Sequence, residues 1–265
     1  MQFWKMNGAG NDFVILNNLV EKLPESAFPA IARTLCERHM SIGADGLMVV
    51  DAPSQGGDYR MRFYNSDGSV GEMCGNGARC ICRFAFDHGI AGENMVVETD
   101  AGLVPGKRLD ESQYRVKLNN PGVLDLRRKG DVAYVELGNP GVPHAVAEYH
   151  GDLWADADAL REQMRALRFD PAFPKGANVN FYQMLSPGEI RILTYERGVE
   201  DYTLACGTGC GSTASVLWLE GKLPGGVLTA HNRGGTLKVT IGGEDNTVTS
   251  IQLEGPTEVV RVLEI

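Results

Sequence analysis

Hydrophobic and polar positions alternate along the chain in a small set of patterns. Short apolar runs bounded by turn residues read as buried strands: Phe13 to Leu16, Leu47 to Val50, Ala133 to Leu137 and Ile190 to Tyr195. Asp58 to Tyr64 alternates, and further strands are expected near Met95 to Glu98, Tyr114 to Leu118, Val227 to His231, Thr236 to Ile241 and Val248 to Leu253. Gly8, Gly10 and Asn11 predict a tight turn ahead of the Phe13 strand. Apolar residues at Phe28, Ile31, Ala32, Leu35 and Cys36 predict an amphipathic helix over Ser26 to Met40, with Ser26 as its cap. Trp154 to Leu167 predicts a second helix of that kind. Two other runs differ. Ile81 to Phe86 is apolar except for Arg83, and Val216 to Leu219 is apolar throughout. Helices that are apolar on every side belong inside a core.

These two runs belong to a stretch that occurs twice. Cys74-Gly75-Asn76-Gly77 opens the first copy and Cys206-Gly207-Thr208-Gly209 the second, at an offset of 132 residues in a chain of 265. Gly89 falls on Gly221 and Gly102 on Gly234 without a gap. At an offset of 133, Asn11 lands on His144 and the Gly43 to Leu47 turn on Gly176 to Asn180. The chain therefore reads as two domains of like fold. The break at Asn119-Asn120-Pro121-Gly122 puts one at 1–120, carrying Cys74, and the other at 121–255, carrying Cys206. The last segment, 256–265, is expected to return to the first domain as a strand.

Composition narrows the function. Apolar residues make up 43% and charged residues 22%, enough for full cores. The net charge of −9 and the lack of a basic patch argue against nucleic acid as partner. They also mean that an acidic ligand must be held by local groups. Met1 to Gly8 lacks the pattern of a signal peptide, and no stretch approaches the roughly 20 apolar residues of a membrane span. A cytoplasmic chain with no membrane partner is expected, and its six cysteines are then expected to be thiols. Oligomeric state is left open, a homodimer included.

A cysteine at the head of a buried helix has a chemical consequence. The glycines beside it are expected to let the backbone turn sharply and expose N–H groups at the helix start. Those donors and the helix dipole favour negative charge, so a thiol there is expected to have a lowered pKa. The same N–H groups can hold a carboxylate or stabilise an anion formed during reaction. Two such sites suggest two thiols acting on one ligand. The alternative of a metal site at Cys74, Cys80 and Cys82 lacks the Cys-x-x-Cys spacing of zinc sites. Cys36, Cys80, Cys82 and Cys210 lie in apolar helical runs and read as core.

The motifs together resemble the diaminopimelate epimerases, cofactor-independent amino-acid racemases. They are Met6-Asn7-Gly8-Ala9-Gly10-Asn11-Asp12-Phe13, Asn65-Ser66-Asp67-Gly68-Ser69, Cys74 to Cys80, Gly176-Ala177-Asn178-Val179-Asn180-Phe181, Glu196-Arg197-Gly198 and Ala205 to Gly209. The resemblance implies an α/β (α+β) fold of two similar domains. Each is a curved, mainly antiparallel sheet wrapped around a central helix, with the active site between the domains. It implies interconversion of LL- and meso-diaminopimelate, a small-molecule amino-acid substrate of lysine and peptidoglycan precursor synthesis, without metal or other cofactor. By the same resemblance Cys74 and Cys206 are the catalytic pair. Asn11, Asn65, Asn180 and Arg197 hold the distal end of the substrate. Glu196 and His144 stand near the reacting α-carbon, and the N–H groups of Gly75, Asn76, Gly207 and Thr208 bind a carboxylate. Gly46 stands where some members have glutamine, and Val142 where many have asparagine. A racemase of another amino acid, or a non-catalytic redox or metal-binding thiol protein, are the alternatives.

Overall fold

A computed structural model describes residues 1–71 and 73–264 and divides into two units. The first is Met1–Val116 with Glu254–Ile265, the second Lys117–Leu253. In the first, the chain segment Glu258–Glu264 pairs antiparallel with the opening strand Gln2–Gly8; Ile265, the last residue of the expected returning strand, lies outside the described residues.

The sheet of the first unit runs, neighbour to neighbour, through Glu258–Glu264, Gln2–Gly8, Asn11–Asn17, Gly46–Asp51, Tyr59–Asn65, Asn94–Thr99, Gly102–Arg108 and Gln113–Leu118. Two of these junctions are parallel: Asn11–Asn17 with Gly46–Asp51, and Tyr59–Asn65 with Asn94–Thr99. A parallel junction needs a crossover. The first crossover carries the helix Phe28–Leu35, the second the helix Gly75–Asp87.

The two helices lie against different side chains of the same strands. Val14, Leu16, Leu47 and Val49 form one core with Phe28, Ala32 and Leu35 of the outer helix. The alternate residues Phe13 and Met48 meet Gly77 of the Gly75–Asp87 helix. That helix also packs on strands from Gln2–Gly8 to Gly102–Arg108, so the sheet wraps around it. With both faces covered, these strands are continuous apolar runs rather than alternating ones.

The second unit repeats the plan. Its sheet runs through Pro121–Lys129, Val132–Gly138, Gly141–Glu148, Asn178–Ser186, Glu189–Glu196, Val227–Asn232 and Gly235–Glu244, with parallel junctions at the two matching places. The outer helix is Ala157–Arg168 and the central one Gly207–Leu219. Tyr134, Leu160, Met164, Phe173 and Phe181 fill the outer core.

Several local expectations change. The first outer helix is shorter than Ser26 to Met40: Glu25–Ala27 forms a 3-10 turn, Pro29 occupies its first turn, and Ser26 does not cap it. In the second, Asp152 accepts the N–H groups of Trp154 and Ala155, and the helix proper begins at Ala157. Gly102–Arg108 and Pro121–Lys129 are strands that sequence did not indicate. Pro121-Gly122 reads as a break, and Gly102–Arg108 also carries a proline and a glycine, residues uncommon inside strands. Gly106 is needed because an added Cβ would stand 2.6 Å from Cys82 Sγ of the central helix.

One loop is closed by a single carboxylate. Glu98 accepts the backbone N–H groups of Ser54, Gln55 and Gly57 and the Ser54 hydroxyl. Burial alone would raise its pKa, but these bonds bring it down from 4.5 to about 2. A depressed carboxyl contributes stability above its unfolded pKa and loses it as pH falls through the folded one. Hydrogen exchange at the Ser54, Gln55 and Gly57 amides is therefore expected to accelerate as pH drops from 4.5 toward 2, beyond the intrinsic pH effect on exchange. Glu98→Gln should remove that extra acceleration. Equal pH dependence in both proteins would contradict the assignment.

Candidate active site

Both cysteines of the repeat are N-cap residues. Cys74 has φ −127° and ψ 119°, Cys206 φ −121° and ψ 107°, and a 13-residue helix starts immediately after each. The first intrahelical bonds are Ala78 N–H to Cys74 O at 2.8 Å and Cys210 N–H to Cys206 O at 3.0 Å. The neighbouring glycines are thus helical, not part of a sharp turn. Their role is close approach. A Cβ on Gly77 would lie 1.7 Å from Met48 Cε, and one on Gly209 would lie 2.2 Å from Asn180 Oδ1. Met48 and Asn180 stand at the same offset of 132 as the glycines and cysteines. An apolar contact in one unit is thereby a polar one in the other.

In the first unit the helix start is tied to the opening hairpin. Gly8 and Asn11 close a two-residue turn in which Ala9 and Gly10 both have positive φ, 55° and 99°. Asn76 Nδ2 donates to Asn11 Oδ1 at 2.6 Å, and Arg79 donates to Asn76 Oδ1 at 2.9 Å. Asn11 Nδ2 donates in turn to Asp45 at 2.9 Å. Arg38 bridges Asp45 and Asp12, and Lys5 pairs with Asp12 at 3.0 Å. Burial would raise the Asp12 carboxyl, but the Arg38 and Lys5 charges bring it below its ordinary value. Asn65, at the end of its strand opposite Gly46, donates from Nδ2 to Ser69 Oγ at 3.0 Å. The Phe63 ring fills the space over Gly46, where an added Cβ would be 2.6 Å from Phe63 Cε2. No side chain fits at residue 46 while that ring stands there.

In the second unit the Cys206 sulfur accepts the Gly209 N–H at 3.3 Å and lies 3.5 Å from Thr208 Oγ1. Cys206 is 8% exposed. Burial raises its thiol pKa well above the ordinary range and Glu196 adds to the rise, while Thr208 and Gly209 oppose it. The expected lowering by the helix start is outweighed here by desolvation, so this thiol is held protonated. Cys36, Cys80 and Cys82 are also buried, and burial pushes each up to about 12.

His144 and Asn180 are fully buried. Neither lies in a turn. His144 sits within Gly141–Glu148 and pairs with Asn178, as Phe13 pairs with Gly46 in the first unit. The strand register therefore matches His144 to Phe13 rather than to Asn11. Asn180 Nδ2, with two hydrogens, faces the carbonyls of Ala145 and Asn178, both at 3.1 Å, and His144 Nδ1 at 3.2 Å, and its Oδ1 accepts from Thr194 at 2.9 Å. With both ends of its amide engaged inside the unit, Asn180 offers nothing to a ligand in this arrangement. Asn178, two residues earlier, does: its Oδ1 accepts the Arg197 N–H at 2.8 Å, and its Nδ2 makes no bond among the described residues. The Arg197 side chain is exposed and holds Lys175 O at 3.0 Å. Glu196 precedes it, half-buried at the strand end. Asn178 and Thr194 were missed in the sequence because the first reads as part of a turn and the second as part of an apolar run.

A labelling order follows. Iodoacetamide reacts with thiolate, so near neutral pH Cys74, the more exposed, should be alkylated before Cys206. Cys206 labelling should accelerate only as pH rises. Peptide mapping that finds Cys206 modified first would contradict its protonated, buried state.

Each unit thus carries a thiol at the head of a central helix, beside the N–H groups of its first turn. A solved structure of a phenazine biosynthesis protein of the PhzF family from Bacillus anthracis has the same fold, with a TM-score of 0.72 at 15% identity over 100% of this chain and 98% of that one. Among characterised relatives, the diaminopimelate epimerase of Aquifex aeolicus (strain VF5) is 41% identical over 245 residues, 86% of each chain. That of Hydrogenobaculum sp. (strain Y04AAS1) is 37% identical over 97% of this chain and 95% of its own. Fold and relatives together define an isomerase of the racemase and epimerase type. The sequence profile of diaminopimelate epimerase matches residues 3–122 and 134–260, and the chain belongs to that family.

Proposed function

We propose that the protein interconverts LL- and meso-diaminopimelate by proton transfer at one α-carbon, with Cys74 and Cys206 as the acid–base pair and no cofactor. The observation that carries this reading is the placement of both thiols as N-caps of the duplicated helices. Inversion requires the proton to leave one face of the carbon and another to arrive on the opposite face. Base and acid must therefore be different groups. One thiolate takes the α-proton and becomes a thiol; the other thiol gives up its proton and becomes a thiolate. Protons balance, and the enzyme is left ready for the reverse direction. Cys206, kept protonated by burial, suits the donor role in the resting protein.

The α-proton of an amino acid is a very weak acid, so the carbanion needs stabilisation. The N–H groups of Gly75, Asn76, Gly207 and Thr208 at the two helix starts supply it by holding the α-carboxylate. Asn65 and Arg197 take the distal amino-acid end, joined by Asn11 once its amide exchanges its bond to Asp45 or Asn76 for the ligand. Asn178 replaces Asn180 in that set, because its amide nitrogen is uncommitted where that of Asn180 is not. His144 and Glu196 support the reacting end, with His144 electrically neutral: burial and the Arg197 charge lower its pKa to about 3.

The test is incubation of the reduced protein with LL-diaminopimelate in heavy water. Formation of the meso isomer with one α-deuterium is expected. Failure of exchange with reduced, folded protein, while another amino acid exchanges, would move the reading to a different substrate.

A further inference from the structure

The His144 ring is fully buried, and its Nε2 has no hydrogen-bond partner among the described residues. Its other nitrogen faces Asn180 Nδ2 at 3.2 Å. The orientation of that amide follows from its surroundings. The same Nδ2 lies 3.1 Å from two backbone carbonyl oxygens, Ala145 O and Asn178 O. A flipped amide would put its own oxygen against both, acceptor against acceptor. The Asn180 oxygen points instead to the Thr194 hydroxyl at 2.9 Å, which donates to it. An amide NH₂ has no lone pair to offer, so Nδ1 of His144 must be bare and the ring proton must sit on Nε2. The result is a buried N–H donor facing no acceptor among the described residues. Such a group costs stability unless something binds it.

The surroundings indicate what that is. Asn178, the strand partner of His144, accepts the backbone N–H of Arg197. Asn180 Oδ1 lies against the Gly209 backbone in the first turn of the Gly207–Leu219 helix. An uncommitted amide and a helix start in one corner, with the Arg197 charge close enough to act on the ring, all favour an anionic oxygen. We propose that Asn180 and Thr194 are positioning residues that lock His144 as its Nε2–H form, and that this N–H is a donor to a carboxylate oxygen of the bound amino acid. The second half of this statement rests on the function proposed above; the first half does not.

Long-range proton–nitrogen correlation spectra of the full chain, with nitrogen-15 in its histidine rings, test the first half without ligand. At neutral pH His144 is expected to show a protonated Nε2 and a bare Nδ1. An Nδ1–H tautomer, or an imidazolium, would overturn the assignment. Thr194→Val removes the hydroxyl that holds the Asn180 oxygen and keeps the shape. It should give a mixture of His144 tautomers and raise KM for diaminopimelate about tenfold, the scale of one hydrogen bond to a charged group. Thr194→Ser should restore both. A Thr194→Val protein with a single Nε2–H tautomer and unchanged KM would sink the positioning role. Adding meso-diaminopimelate to the wild type should shift the Nε2–H proton. An unmoved resonance under turnover would overturn the donor role alone, and absence of any amino-acid turnover would remove the donor role together with the function it rests on.

Discussion

Replacing Cys74 by alanine, or Cys206 by serine, is expected to reduce epimerisation by about 10³-fold, within the range that a positioned acid or base contributes. The two substitutions differ for a structural reason. Cys206 Sγ caps its helix by accepting the Gly209 N–H, and serine keeps an acceptor there. Cys74 makes no such capping bond, so alanine is the cleaner change. Epimerisation should fall by that factor in both, but exchange should not. A protein with one thiol can still remove and return a proton on a single face. Each variant is then expected to wash deuterium into one isomer with retention of configuration, and the two variants should prefer opposite isomers. Mass spectrometry combined with chiral chromatography reads both quantities. If one variant still inverts at the wild-type rate, that cysteine is not part of the acid–base pair. If either loses inversion but exchanges both isomers equally, a base other than the remaining thiol is at work.

Much of this was legible before any coordinates. The duplication, the two buried helices and the cysteines at their heads all follow from residue types at fixed spacing. The outer helix core from Phe28 to Leu35 was visible because apolar spacing at three and four residues survives any uncertainty at its ends. Four kinds of information were not legible. Pro105 and Gly106 lie inside a strand, and Pro121 and Gly122, read as a break, at the start of one; the sequence does not show that Gly106 makes room for Cys82. The glycines after each cysteine suggested a turn, but their function is to let a neighbouring strand approach the helix. Desolvation is also invisible in a sequence. A helix start predicts a lowered thiol pKa, and the burial of Cys206 beside Glu196 reverses the sign. Asn180 follows from the motif by resemblance, and only hydrogen-bond partners distinguish its committed amide from the available one of Asn178.

The matched glycines offer the sharpest comparison. Gly77→Ala and Gly209→Ala make the same change at equivalent positions of the repeat, and unequal outcomes are expected. The Cβ at residue 77 would meet the end of the Met48 side chain, which can swing aside at modest cost. Alanine in a helix also gains up to about 1 kcal/mol over glycine, so Gly77→Ala should stay within about 1 kcal/mol of wild type. At residue 209 the Cβ would meet Asn180 Oδ1 and, at 3.3 Å, Cys206 Cβ. Asn180 is held on all sides by Thr194, Ala145, Asn178 and His144. Moving it strands buried polar groups, so Gly209→Ala should cost about 2–4 kcal/mol from overpacking and broken hydrogen bonds. It should also displace His144 and depress epimerisation. A double-mutant cycle separates this from a general intolerance of the helix start. Asn180→Ala is itself destabilising, but it opens the space that the added methyl needs. In that background Gly209→Ala should cost less by about 1–3 kcal/mol, the coupling of residues in direct contact. Urea unfolding of the four proteins gives the number. A coupling near zero would mean that Asn180 does not dictate glycine at residue 209, and the requirement would have to lie in the helix start itself.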